Sequence, residues 1–146
     1  MHVILITGGF DPVHGGHIDY MRDAKHSGDL LVVGLNSDKW LKAKKRTNFM
    51  TFDQRKKIIE SIKYVDKVIS FDDADGTAYD AIMQVKASYP DDKISVANGG
   101  DRKEINAPTK ELSVNNVNYV WGIGGHKTDS SSSILENYVE RYNDTL

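Results

Sequence analysis

The sequence predicts an α/β domain in which a parallel five-stranded sheet is flanked by helices. Three observations carry that prediction. Five short apolar runs alternate along the chain with stretches of helical spacing. The first run is continuous rather than alternating, which suits a strand covered on both faces, and strands joined through helices run parallel with right-handed crossovers. The length of 146 residues suffices for one domain with a sizeable core, and neither an internal repeat nor a composition break divides it.

Each element follows from its residues. Val3–Ile6 is a β-branched and Leu run that ends at Gly8-Gly9, and Ile18, Met21 and Ala24 then recur at helical spacing until Ser27-Gly28 stops the helix. Asp29–Leu35 is the second strand, after which Asn36-Ser37-Asp38 offers caps for a short helix carrying Trp40 and Leu41. Thr51 with Gln54 fits a capping box and opens a helix striped by Ile58, Ile59 and Ile62. Lys67–Phe71 is the third strand, residues 77 to 89 a helix, and Ile94–Ala97 a fourth strand ending at Asn98-Gly99-Gly100-Asp101. A short helix is expected from Pro108, and Val117–Trp121 is the fifth strand. The last helix starts within the serine run and is expected to bury Ile134, Leu135, Tyr138, Val139 and Tyr142.

Composition narrows the function classes. A formal charge of −2 is not that of a globally basic nucleic-acid binder, and the absence of cysteine removes disulfides and thiolate metal sites. The N-terminal apolar run is too short for a signal segment or a membrane span, so a cytoplasmic protein without nucleic-acid or membrane partners is expected.

Parallel α/β sheets bind ligands outside the carboxyl ends of their strands. Four segments of unusual chemistry fall there: 7–17, 36–46, 98–104 and 122–133. The first contains Gly8-Gly-Phe-Asp-Pro-Val-His-Gly-Gly-His17, with two histidines three apart at the expected helix start. Open amides at such a start attract anions, imidazole N–H groups donate to phosphate oxygens, and glycines let phosphate come close. A dinucleotide-type glycine fingerprint is absent, and His126 interrupts the Gly-Lys-Thr order that a P-loop needs. From Lys39 to Lys67, ten Lys and Arg stand against three acids, a local balance of +7 that would attract polyphosphate. His126-Lys-Thr-Asp-Ser-Ser-Ser-Ser133 leads into the last helix and offers hydroxyls and amides as a second phosphate cradle.

Gly9-Phe-Asp-x-x-His-x-Gly-His17 resembles the signature of the HxGH nucleotidyltransferases, in their cytidylyltransferase-like branch. That branch includes glycerol-3-phosphate cytidylyltransferase, the adenylyltransferase domain that makes ADP-heptose, and phosphopantetheine adenylyltransferase. The resemblance extends to Gly28–Asp38, to Gln54-Arg55 with Glu60-Ser-Ile-Lys-Tyr-Val-Asp66, and to Gly99-Gly-Asp101; it is weakest over 102–120. It implies a Rossmann-like fold and transfer of a nucleotide from CTP to a small phosphorylated acceptor, a glycerol-3-phosphate-like polyol or a sugar phosphate, with release of pyrophosphate. An ATP-dependent enzyme acting on a heptose-phosphate-like sugar is the alternative, and a catalytically silent nucleotide sensor a further one.

By the same resemblance His14, His17 and Lys44 are the expected catalytic residues. Gly8, Gly9, Phe10, Asp11, Gly16, Lys42, Asp101, Lys127, Thr128, Ser132 and Ser133 are expected at the nucleotide, and Asp38, Arg55 and Lys63 at the acceptor. Lys127 and Ser130 stand where cytidylyltransferases have Arg and Gly, which weakens an assignment to CTP and is reminiscent of the serine-rich helix start of adenylyltransferase relatives. Mg²⁺, held mostly by the nucleotide, and a homodimer complete the expectation.

Overall fold

A computed structural model describes residues 1–100, 102–125 and 130–146. Its elements are β1 (His2–Gly8), α1 (Gly15–His26), β2 (Leu30–Leu35), α2 (Asp38–Lys45), α3 (Phe52–Glu60), β3 (Lys67–Ser70), α4 (Tyr79–Ser88), β4 (Lys93–Gly99), a 3₁₀ turn (Glu104–Asn106), α5 (Thr109–Leu112), β5 (Asn118–Ile123) and α6 (Ser131–Asp144). The five strands form one parallel sheet in the order β3-β2-β1-β4-β5. The expected α/β fold with a Rossmann-like five-stranded parallel sheet is therefore the observed one.

The central strand explains the continuous apolar run. Val3 and Leu5 face α4 and pack with Ala81, Ile82 and Val85, while Ile4 and Ile6 face α1 and pack with Met21 and Ala24. All four strand residues are buried, and each such side chain contributes about 1.5–3 kcal/mol by leaving water. The two layers thus meet on β1, which places the turn after it at the centre of the molecule's upper edge.

The helix boundaries are chemical. Ser37 caps α2 by accepting from the Trp40 amide, and Thr51 caps α3 by accepting from Gln54, as the sequence predicts. α6 departs from expectation. Ser131 is its buried residue, whereas Tyr138, Val139 and Tyr142 are 59%, 54% and 53% exposed. The apolar stripe is real, but beyond its first turn the helix carries it off the sheet.

The register makes a crevice. β1 pairs with β4 only as far as Leu5 with Val96, yet β1 continues to Gly8 beside β2 and β4 to Gly99 beside β5. Chain order also reverses between β1 and β4, so the opening lies at the topological switch point where such sheets bind ligands.

Candidate active site

A cavity of about 560 Å³ occupies this crevice, a size suited to a small-molecule ligand. One half lies on the α1 face, lined by Gly8, Gly9, Phe10, His14, Gly16, His17 and Ser130–132, and is flanked by Trp40, Lys44 and Lys45 of α2. The other half is lined by Gly76, Thr77, Ala78, Asn98, Gly99, Gly100, Arg102 and Glu111. The cavity thus brings together the turns after β1, β2 and β4 and the start of α6.

The start of α1 is built from its two histidines. His14 is the N-cap, and its Nδ1 accepts the Gly16 amide at 3.1 Å; His17 Nδ1 accepts the His14 amide at 3.2 Å. A backbone amide can only donate, so Nδ1 of each ring is the acceptor and Nε2 carries the hydrogen. The rings stack at 3.9 Å, and Phe10 meets His17 edge-on at 4.9 Å. Gly16 is required by this arrangement, because a Cβ there would lie 2.9 Å from the His14 ring. At Gly9 a Cβ would lie 2.6 Å from Leu41, so that glycine lets α2 close on the turn. The start of α6 repeats the device in hydroxyls: Ser130 Oγ accepts the Ser133 amide at 3.0 Å, and Ser133 Oγ accepts the Ser130 amide at 3.2 Å. Ser131 Oγ donates to the Pro12 carbonyl at 2.8 Å and ties the two starts together. Ser132 lines the cavity, while the Ser133 hydroxyl is spent on the cap.

Several expected contacts turn elsewhere. Arg55, expected at the acceptor, is fully buried: Nη1 donates to the carbonyls of Gly9 and Asn36 at 2.8 Å, Nε to Met50 at 3.2 Å, and Nη2 to Asp38 at 2.8 Å. Its guanidinium braces three loops and has no face left for a substrate. Asp38 is correspondingly committed to Arg55. Burial works to raise the Asp38 carboxyl, but the Arg55 hydrogen bond, the Phe52 amide and the charges of Arg55 and Lys42 outweigh it and hold the group below the usual carboxylate range. Asp11, expected at the nucleotide, accepts the amides of Phe49 and Met50 at 2.5 and 2.7 Å and is buried, so it fixes the loop between α2 and α3. Lys63 lies outside the cavity with its Nζ 5.1 Å from the Tyr64 ring centre, and Lys42 is not among the lining residues. Asp101, Lys127 and Thr128 lie outside the described residues.

Other residues enter that the sequence reading did not single out. Lys45 joins Lys44, whose Nζ stands 4.8 Å from the Trp40 ring centre, because positions 40, 41, 44 and 45 share one helical face and 42 does not. That periodicity was available in the sequence. Arg102 falls in the 98–104 segment without having been named, and Glu111 had no comparable local signal. Among the described residues no three His, Asp or Glu side chains gather as a metal site. The cation-rich wall at Lys44 and Lys45 fits an anion such as a polyphosphate. No helix among the described residues is long and apolar enough to cross a membrane.

Glycerol-3-phosphate cytidylyltransferase of Staphylococcus aureus is 39% identical over 69 residues, which are 47% of this chain and 52% of the relative. FAD synthase of Archaeoglobus fulgidus is 39% identical over 82 residues, 56% of this chain and 58% of the relative. Bifunctional protein HldE of Pelobacter propionicus is 30% identical over 143 residues, covering 96% of this chain but 28% of that protein. The chain thus spans between about a quarter and three fifths of these relatives' lengths. Among solved structures, a lipopolysaccharide core biosynthesis protein from Thermoplasma volcanium superposes with a TM-score of 0.68 at 23% identity, covering 87% of this chain and 99% of the other. A bifunctional NMN adenylyltransferase/ADP ribose pyrophosphatase from Francisella tularensis, complexed with AMP and a Mn ion, also gives 0.68, at 16% identity, covering 94% of this chain and 41% of the other. Both likenesses concern the fold. Residues 5–135 match the model of the cytidylyltransferase-like family, and the chain belongs to that family.

Proposed function

We propose that this chain is a nucleotidyltransferase that transfers a nucleoside monophosphate from CTP to a small phosphorylated acceptor, a glycerol-3-phosphate-like polyol or a sugar phosphate, releasing pyrophosphate. The observation that carries the reading is the pairing of two capped helix starts, one of imidazoles and one of hydroxyls, on a single cavity flanked by Lys44 and Lys45. Helix starts and lysines together match the charge of a triphosphate.

In this reading an acceptor phosphate oxygen attacks the α-phosphorus. A new O–P bond forms as the bond to the bridging β-phosphate oxygen breaks, and the electron pair leaves with pyrophosphate. His14 and His17 donate to the phosphate oxygens where negative charge accumulates, and Lys44 neutralises the phosphoryl group in flight, with Lys45 beside it in the place expected for Lys42. Gly8, Gly9, Phe10 and Gly16 shape the bed, Ser132 faces the phosphates, and Lys127 and Thr128 are proposed to grip the β- and γ-phosphates. Asp101 is proposed at the nucleotide. Mg²⁺ bound with the nucleotide supplies charge neutralisation of the triphosphate and of the leaving pyrophosphate. The similarly folded NMN adenylyltransferase/ADP ribose pyrophosphatase, complexed with AMP and a Mn ion, supports divalent metal use.

A second reading, transfer from ATP to a heptose-phosphate-like sugar, is favoured by Ser130. It is the N-cap of α6, where the cytidylyltransferases that the sequence resembles carry glycine. A homodimer in the cytoplasm is proposed with either reading; the exposed Tyr138, Val139 and Tyr142 stripe supports the dimer. The test is a pyrophosphate-release screen of CTP and ATP against glycerol 3-phosphate and a panel of sugar phosphates. Acceptor-dependent release with one nucleotide is expected. Nucleotide binding with no release from any pair would support the silent sensor instead.

A further inference from the structure

The α1 half of the cavity accounts for the histidines, the lysines and the serines, but not for Arg102 and Glu111. Glu111 is a buried carboxylate, 5% exposed, in the cavity wall on the α4 side. Its Oε2 accepts the Ala78 amide at 3.0 Å and its Oε1 accepts from Arg102 Nη2 at 2.8 Å. Arg102 is pinned at both ends, since its own amide donates to the Gly99 carbonyl at 3.2 Å. Its side chain remains 31% exposed, and it is the arginine that lines the cavity among the described residues. A guanidinium has five N–H donors; the Arg102 side chain commits one of its nitrogens, Nη2, to Glu111 and also lines the cavity. Arg55, by contrast, spends its donors on four protein oxygens.

Placement gives this group a task. In-line displacement requires the nucleophile to approach phosphorus from the side opposite the departing pyrophosphate. With the triphosphate tail at the α1 and α6 starts, the incoming group approaches from the half walled by Gly76–Ala78, Asn98 and Arg102. We propose that this half is the acceptor subsite and that Arg102, aimed by Glu111, binds the acceptor's phosphate. The inference rests on the nucleotidyltransferase reading and assigns Arg102 the part that the sequence suggested for Arg55. A fixed guanidinium fork holds a phosphate through two parallel hydrogen bonds. Glu111 is a positioning residue that acts through Arg102.

The experiment uses the full chain with its nucleotide half filled by the α,β-methylene analogue of CTP or ATP, whichever binds. Inorganic phosphate and glycerol 3-phosphate are then titrated calorimetrically, with glycerol as the uncharged control. Phosphate and glycerol 3-phosphate are expected to bind and glycerol not. Arg102→Ala is expected to weaken both by about 10- to 100-fold, the loss of a charged hydrogen-bond pair, with the nucleotide Kd within twofold of wild type. Arg102→Lys should recover only part of the loss, and Glu111→Gln should weaken phosphate without moving the nucleotide Kd, a split that a merely structural role would not produce. Thermal unfolding of each variant reports its folding. If wild type binds the nucleotide but neither phosphate probe, or if Arg102→Ala weakens the nucleotide as much as the phosphate, the acceptor assignment is overturned while the nucleotidyltransferase reading stands. If wild type binds neither nucleotide analogue, that reading falls and the inference with it.

Discussion

The starts of α1 and α6 solve one problem with different side chains. Each N-cap side chain accepts from an amide of the first turn, and each third residue accepts the amide of its cap. At α6 the two residues are serines, ordinary for the task; at α1 they are histidines, which are not. Since serine satisfies the same amides a short distance away, capping does not explain the imidazoles. What they add is a second nitrogen bearing a hydrogen, fixed in direction because the first is held by the backbone. The supports differ as well. α1 buries Met21 and Ala24 and follows a turn whose Gly9 carbonyl Arg55 grips, whereas α6 is tied by Ser131 to Pro12 and buries little else. One start is braced by packing and by Arg55, the other by the Ser131 hydrogen bond.

The contrast can be broken in three places. The largest effect is expected from Arg55→Ala, which leaves the carbonyls of Gly9, Asn36 and Met50 and the Asp38 carboxylate without their donor. A loss of about 3–5 kcal/mol is expected in chemical denaturation, and Arg55→Lys should rescue little of it because one ammonium cannot span the same four oxygens. Next, replacing His14 and His17 by serine should make α1 a copy of α6. Stability should hold to within about 1 kcal/mol, since serine caps well. Pyrophosphate release should fall by about 10²–10³-fold for each histidine lost as a donor. Ser130→Ala with Ser133→Ala is the reciprocal change and should cost about 1 kcal/mol per cap in thermal unfolding, with a smaller loss of turnover.

The smallest effect lies away from both starts. Lys110 bonds Asp75 and, with the amide and hydroxyl of Thr77, lowers its carboxyl from 3.8 to about 2. Stability from this surface clasp is present above the ordinary carboxylate value and is lost as pH falls through about 2. Wild type and Asp75→Asn should therefore differ slightly at pH 5 and converge near pH 2 in acid unfolding curves. Convergence at higher pH would place the clasp's proton elsewhere.

How much of this was legible in the sequence depends on the range of the interaction. Strands such as Val3–Ile6 and caps such as Ser37 and Thr51 are local, since their signals lie within a few residues of their effects. The motif around His14 and His17 correctly pointed to the edge of the sheet on which the cavity opens. It did not say which way Arg55 or Asp11 would turn, because their partners are set by tertiary packing: Gly9 is 46 residues from Arg55, and Phe49 is 38 from Asp11. Glu111 was invisible for the same reason, its amide partner Ala78 being 33 residues away. The stripe of α6 taught a different lesson. Periodicity at Ile134, Leu135, Tyr138, Val139 and Tyr142 reports a face suited to burial, but not the body that buries it.

The central claim, that the imidazoles are donors to a nucleotide's phosphates and not merely caps, is tested most directly by the histidine ring nitrogens. Long-range ¹H–¹⁵N spectra of the ¹⁵N-labelled protein should show Nδ1 of His14 and His17 without hydrogen and Nε2 with it. Addition of the α,β-methylene analogue of CTP or ATP should then shift both Nε2 resonances and leave Nδ1 unprotonated. A hydrogen on Nδ1 of either ring, or Nε2 signals unmoved at saturating nucleotide, would contradict the account.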